Sequence, residues 1–383
     1  MSFYTSQNKL GILGGGQLGK MIINEANKLD ISCKIMDPNK EAPCSKLVDE
    51  FIVGDLMNFD DVYNFGITVE ILTIEIENVN TDALERLQSE GIKVYPSSDT
   101  IKKIQDKSVQ KQFYLDNNLP SSYFKKFENL DELLKELDEG LCKFPFIWKS
   151  ARFGYDGKGV KLINSSQDLK DLPNIKCIVE DKVNIKKELS VIVARNKKNQ
   201  EMFYPLVEME FNSANLVDKV LCPAQVSADI NKKAIQIALE TSRAFNHIGL
   251  LAVELFLTEN DEILINEVAP RPHNSGHHTI ECCYISQFEQ HLRSILNLDL
   301  GDTSIKSPGI MLNLVGEENF NGKVQYLNIN NALKTIGASI HLYGKKITKP
   351  FRKMGHITIV NKDINKAKEL AENLRKSIKV ISN

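Results

Sequence analysis

Glu254 and Glu267 lie on either side of the turn-forming run Glu259-Asn260-Asp261-Glu262. Alternating apolar residues before the run (Leu251, Val253, Leu255, Leu257) and after it (Ile263, Ile265) predict the two strands of a hairpin. A two-residue Asn260-Asp261 turn would pair Ile263 with Thr258, Ile265 with Phe256 and Glu267 with Glu254. Like charges directly opposite on a sheet repel. Alternation puts both glutamates on the face away from the leucines, so something must neutralise them. Hard Mg2+ takes oxygen ligands, commonly one or two carboxylates plus substrate phosphates. Two solvated surface glutamates would leave the same trace. The chain continues as Asn266-Glu267-Val268-Ala269-Pro270-Arg271-Pro272-His273-Asn274-Ser275-Gly276-His277. Two prolines stiffen this run, and Arg271, His273, Asn274 and Ser275 suit a phosphate or a small anion. His273 and His277 lack the helix and glutamate of the H-E-x-x-H zinc motif.

Two glycine loops add phosphate chemistry. Gly154-Tyr155-Asp156-Gly157-Lys158-Gly159 lies between predicted strands at 146–149 and 160–163. A Walker loop would lead into a helix, so this loop is not one. Its backbone N–H groups and Lys158 suit phosphate oxygens, and such a loop can close as a lid. Lys149 ends an apolar strand, Glu180-Asp181-Lys182-Val183 suits backbone contact with a purine, and Glu188 suits a ribose hydroxyl. The earlier Gly14-Gly15-Gly16-Gln17-Leu18-Gly19 follows a strand, opens a helix and is followed by Asp37. It satisfies the dinucleotide fingerprint and leaves an NAD-binding oxidoreductase open, beside an anion site for some other phosphate. Lys345, Lys346, Lys349, Arg352 and Lys353 form a basic run that fits either a solvated face or an anion site.

A chain of 383 residues, 42% hydrophobic and 26% charged, is long enough for two or three domains with substantial cores. A net charge of −2 gives no electrostatic case for nucleic acid or an anionic membrane. The seven cysteines are odd in number and form no C-x-x-C pair, which argues against a disulfide framework and a structural zinc site. The first residues lack the pattern of a signal peptide, and no apolar run reaches the ~20 residues of a membrane helix. A cytoplasmic protein is expected. Strands at 10–13, 32–36, 50–53 and 70–74 alternate with helices at 18–29, 59–65 and 82–89, which predicts a doubly wound parallel sheet over residues 1–100. A helix over 98–117, ended by Pro120, opens an α+β region over 101–303. That region has strands at 177–180, 187–194, 202–207, 249–257 and 262–267 and helices at 230–245 and 279–296. A small α+β domain follows over 304–383.

At these residues the chain resembles the ATP-grasp superfamily and, within it, the N5-carboxyaminoimidazole ribonucleotide synthases. The resemblance spans nearly the whole chain and rests on GILGGGQLGKM at 11–21, EIEN at 75–78, GYDGKG at 154–159, ELSV at 188–191, NEVAPRPHNSGH at 266–277 and RKMGH at 352–356. It implies a two-lobed ATP-grasp domain between a Rossmann-like domain and a small C-terminal one. ATP would contact Lys107, Lys149, residues 154–160 with Val160, residues 180–183, Glu188, Phe211, Asn266 and Glu267. Mg2+ would lie on Glu254 and Glu267. The aminoimidazole ribonucleotide would meet Gln17, Leu18 and Glu75, with its phosphate on Lys345 and Arg352. Tyr155, Asp156, Lys158, Arg271, His273, Asn274 and Ser275 would surround the reacting amine and bicarbonate. The resemblance also implies ADP, phosphate and carboxyphosphate chemistry in purine biosynthesis, a homodimer, and hand-over of the product to a mutase. Departures include Lys107 and Lys349 where arginine is frequent, Phe153 for a glycine, Val160 for a glutamine and Phe211 for a histidine. A formate-dependent glycinamide ribonucleotide transformylase, an NAD-binding oxidoreductase and a catalytically silent nucleotide-binding protein are the competing readings.

Overall fold

The structure, a computed structural model, describes residues 9–48, 50–152, 159–212 and 214–383. Short apolar runs near the N-terminus form five parallel strands, ordered Glu50–Val53, Ser32–Asp37, Lys9–Leu13, Ile71–Ile74 and Lys93–Tyr95. The central strands are buried on both faces, as parallel strands covered by helices must be. On one face Met21, Ile22 and Ala26 of the helix Gln17–Lys28 pack on Leu10 and Ile12. Phe288, Leu292 and Ile295 of the later helix Gln287–Ile295 join the same core. That shared core ties the first glycine loop to the middle of the chain.

The middle of the chain builds two antiparallel layers. A four-stranded sheet runs Phe124–Phe127, Cys177–Asp181, Phe146–Ser150, Val160–Ile163. A nine-stranded sheet begins at the hairpin Ile263–Ala269 and Gly249–Thr258 and passes through Ile185–Arg195, Val207–Phe211 and Val217–Cys222. It then runs without interruption into Gly309–Val315, Lys353–Val360 and Ala338–Leu342. The sheet therefore carries residues on either side of 303/304 as one surface. The helix Ala228–Ala244 covers the leucine face of the hairpin.

Three expectations change. The helix expected over 98–117 is two, Ser98–Gln105 and Lys107–Asp116. Asp106 is extended between them and caps the second, accepting from Ser108 N at 2.9 Å and Val109 N at 3.4 Å. The break starts a new helix at Lys107. The helix expected over 279–296 is likewise interrupted, into Thr279–Cys282 and Gln287–Ile295, because Ser286 caps a fresh start at Glu289 N. The strand expected over 202–207 is divided between Glu201–Phe203 and Val207–Phe211. Among the described residues, no helix is long and apolar enough to cross a membrane. Replacing the buried cap, Asp106→Ala, is expected to lower the unfolding free energy in urea by about 1–2 kcal/mol, and Asp106→Asn by less, because asparagine still caps.

Candidate functional site

In the hairpin, Glu254 does lie opposite Glu267, but the route differs from the one expected. The turn has three residues: Asp261 N donates to Thr258 O, Thr258 N donates to Glu262 O, and Asp261 takes a φ of 59°. This pairs Leu257 with Ile263 and Leu255 with Ile265, one residue out of the expected register. A bulge between the 255/265 and 254/267 pairs then absorbs Asn266 and restores the facing glutamates. The bulge has a second effect. Strict alternation would send Asn266 and Glu267 to opposite faces, yet both are partly accessible, and both meet lysines of one cluster.

Lys107, at the start of the helix that Asp106 caps, places Nζ 2.8 Å from Glu267 Oε2. Lys149 Nζ lies 3.4 Å from Asn266 Oδ1 and 3.0 Å from Glu180 Oε1. Glu180 is buried and also receives Lys111 Nζ at 3.2 Å and Ser122 Oγ at 2.7 Å. Burial opposes its ionisation, but the charges of Lys149 and Lys111 win and hold its pKa below the usual value. Burial pulls Lys111 down to about 8 against the charge of Glu180. Breaking such a buried pair costs several kcal/mol, so the side chain of Glu180 fixes the lysine frame. Burial raises Glu188 to about 7, Glu267 adds to the rise, and Lys149 opposes it. Burial, then the charges of Glu267 and Glu188, push Glu254 up, whereas the charge of Lys107 pulls Glu267 down in spite of burial. One member of the facing pair therefore holds its charge at the other's expense. An all-oxygen pair with one carboxylate driven towards protonation is what a hard divalent cation would relieve. No described group of three or more His, Cys, Asp or Glu side chains is arranged for a metal, so this pair would rely on phosphate oxygens to complete the shell.

The proline-stiffened loop lies over the same carboxylates. Ser275 N donates to His273 Nδ1 at 3.3 Å, which leaves Nε2 as the N–H facing Glu254 Oε1 at 3.4 Å. Ser275 Oγ contacts both His273 Nδ1 and Ser190 Oγ at 2.9 Å. Asn274 and Asn313 exchange amide hydrogen bonds of 2.9 and 2.8 Å. Arg271 Nε lies 2.9 Å from Glu77 Oε1, which joins the loop to the first sheet.

The first glycine loop is filled from within the chain. Gly16, Leu18 and Gly19 donate their N–H groups to Glu75 at 3.0–3.1 Å, and Gly15 N donates to Asp37 Oδ2 at 2.7 Å. A Cβ at Gly16 would meet Glu75 Oε1 at 2.5 Å. The helix terminus that a pyrophosphate would need thus holds a carboxylate, and Asp37 binds the loop instead of a ribose. The NAD reading fails on that geometry. Gln17 opens the helix, and Lys20, one turn on, donates to Leu342 O at 3.0 Å. The C-terminal basic run therefore lies against this loop. Within it Lys345 Nζ bonds Lys353 O at 2.8 Å, Arg352 bonds Ile347 O at 2.7 Å, and Lys346 pairs with Glu41 at 2.6 Å.

Of the remaining expected contacts, Gly159 takes a φ of 77° with its carbonyl bonded to Ser150 N, and Val160 is exposed opposite Lys149. Asp181 and Lys182 are exposed, with Val183 partly so. Phe211 packs on the apolar cluster of Met209, Val217 and Met311. Phe153, Gly154, Tyr155, Asp156, Gly157 and Lys158 lie outside the described residues. Sequence reasoning passed over Lys111, Glu77 and Asn313 as site residues. It also left Lys353 in the basic run without a role, although its charge reaches Glu254 and His277. The spacing of Lys107 and Lys111, one helical turn, is the signal that a break at Asp106 would have exposed.

Three family models match in order: a ribonucleotide synthetase preATP-grasp domain over 7–105, an ATP-grasp domain over 112–288 and a phosphoribosylaminoimidazole carboxylase C-terminal domain over 309–370. The chloroplastic phosphoribosylaminoimidazole carboxylase of Vigna aconitifolia is 39% identical over 93% of this chain, which spans 64% of that relative's length. The N5-carboxyaminoimidazole ribonucleotide synthase of Bacillus subtilis is 35% identical over 92% of this chain and 91% of the relative. The crystal structure of an Aspergillus clavatus N5-carboxyaminoimidazole synthase with ADP and 5-aminoimidazole ribonucleotide is 35% identical, with a TM-score of 0.85 over 97% of this chain and 98% of that one.

A glutamate whose folded pKa is raised to about 7 contributes stability below its unfolded value and loses it as pH rises through 7. Glu188→Gln is therefore expected to raise the melting temperature of the ligand-free protein at pH 8, with the gain shrinking towards pH 5. Thermal scans across that range check the sign.

Proposed function

Because this chain belongs to the N5-carboxyaminoimidazole ribonucleotide synthases of the ATP-grasp superfamily, we propose that it uses ATP and bicarbonate to carboxylate the amino group of 5-aminoimidazole ribonucleotide in purine biosynthesis. The observation that carries this reading is the pair Glu254 and Glu267, face to face beside Lys107 and Lys149. A bicarbonate oxygen attacks the γ-phosphorus of ATP, the bond to the β-phosphate oxygen breaks, and carboxyphosphate and ADP form. The ribonucleotide amine then attacks the carboxyphosphate carbon, or CO2 released from it. Phosphate leaves, and the amine gives up a proton. Glu254 and Glu267 would hold Mg2+, which neutralises charge on the transferring phosphate.

The chain's own groups do the rest. Lys107 and Lys149 place positive charge where ATP phosphates enter, and the buried Glu180 keeps Lys149 fixed. Glu188 lies on the neighbouring strand, where it can accept from a ribose hydroxyl, with residues 180–183 at the base. Arg271, His273, Asn274 and Ser275 bound the space for bicarbonate and the amine. Gln17, Leu18 and the Glu75-capped helix terminus receive the ribonucleotide, whose phosphate meets Lys345, Arg352 and Lys353. The roles of Asp156 as proton acceptor and Lys158 as a phosphate cation rest on their motif alone. Self-association as a homodimer and transfer of the product to a mutase follow from the family rather than from any contact here. A reducing cytoplasm suits seven cysteines that are all unpaired.

ADP release should require bicarbonate and the aminoimidazole ribonucleotide together, with formate and glycinamide ribonucleotide inactive. With 18O-labelled bicarbonate, one labelled oxygen should appear in inorganic phosphate, whereas unlabelled phosphate rules the route out. Glu254→Gln and Glu267→Gln should each lower kcat by at least about 100-fold, as removal of charge stabilisation at a transferring group does.

A further inference from the structure

Gln287 is fully buried at the start of the helix Gln287–Ile295, which packs both on the N-terminal helix Gln17–Lys28 and on the strand Gly249–Thr258 that carries Glu254. Its side-chain amide makes a two-bond clamp on one residue of the proline-stiffened loop. Gln287 Oε1 accepts from His273 N at 2.8 Å, and Gln287 Nε2 donates to His273 O at 2.7 Å. The same Nε2 lies 3.3 Å from His277 Nδ1, at the other end of the loop. Gly276 between them has no room for a side chain, since a Cβ would come within 2.5 Å of Gln287 Oε1 and 2.4 Å of Ile192 Cδ1. The loop is thus pressed onto this amide, and the ring so held is the one whose Nε2 faces Glu254.

We propose that Gln287 is a positioning residue for the reaction: by clamping the His273 backbone it sets the imidazole against Glu254 and so fixes the direction in which that carboxylate faces Glu267. The inference rests on the assignment of those carboxylates to Mg2+ and phosphate. A one-ångström drift of a supporting group degrades a site that the rest of the fold leaves intact.

The helix supplies its own control. Gln290, also fully buried and one turn further on, makes the same clamp on Gly301, with bonds of 3.0 and 2.9 Å. Gly301 lies in the connection after that helix, away from the carboxylates. Methionine in place of either glutamine preserves volume and removes both bonds. Gln287→Met and Gln290→Met should lose similar melting temperature, but only Gln287→Met should lose kcat, by at least about 10-fold, and raise the Mg2+ concentration for half-maximal rate. Gln290→Met should stay within about twofold of the parent protein in both. If Gln287→Met does not fold, Gln287→Asn keeps an amide at the site but is one methylene too short to hold both His273 bonds, and carries the same comparison.

Calorimetric titration with Mg·ADP separates this inference from the proposed function. Weaker Mg·ADP binding in Gln287→Met alone supports the clamp even if the parent protein shows no ribonucleotide-dependent ADP release, an outcome that would overturn the function. Equal losses in the two variants, or parental kcat and Mg·ADP affinity in Gln287→Met, overturn the clamp.

Discussion

Two carboxylates held opposite one another in a half-buried sheet repel, and much of the surrounding structure answers that repulsion. Lys107 neutralises Glu267, and His273 turns its Nε2 towards Glu254. Nothing in strand geometry alone would keep such a pair together, because burial, and then the charge of Glu267, push Glu254 towards protonation. The pair makes physical sense as a grip on a divalent cation that comes with phosphate. The bulge at Asn266 completes the arrangement by letting two consecutive side chains reach one lysine cluster.

The neighbouring charges have distinct tasks. Glu180 is enclosed by Lys111, Lys149 and Ser122, so its side chain organises the lysines and is not itself exposed to a ligand. In the N-terminal domain, Glu75 satisfies the N–H groups of the first glycine loop. That carboxylate turns a fold segment with a dinucleotide fingerprint into a closed helix terminus. The adjoining surface, with Lys20 and the C-terminal basic run, remains suited to a smaller phosphate ester.

The parallel sheet, apart from its fifth strand Lys93–Tyr95, and the facing glutamates were legible because alternation and turn chemistry are local. The route to that facing pair was not. A three-residue turn shifted the register by one and a bulge shifted it back, so the expected Glu254–Glu267 pair holds while the expected Ile265–Phe256 pair does not. Periodicity carries no mark of a bulge. Helix breaks at Asp106 and at 283–286 were missed because apolar spacing ran on through them, although the serine and aspartate caps were there to read. Lys111, Asn313 and Gln287 act across long sequence separations, where composition is silent and only the folded chain shows the partner.

The most direct test of the central pair is anomalous diffraction from crystals grown with Mn2+ and ADP, since manganese takes the oxygen sites of magnesium and reports its own position. One peak bonded to oxygens of both Glu254 and Glu267, at distances of about 2.0–2.2 Å and bridged to a nucleotide phosphate, is the expected result. A peak on neither carboxylate, or side chains of 254 and 267 directed into separate environments, would contradict the account.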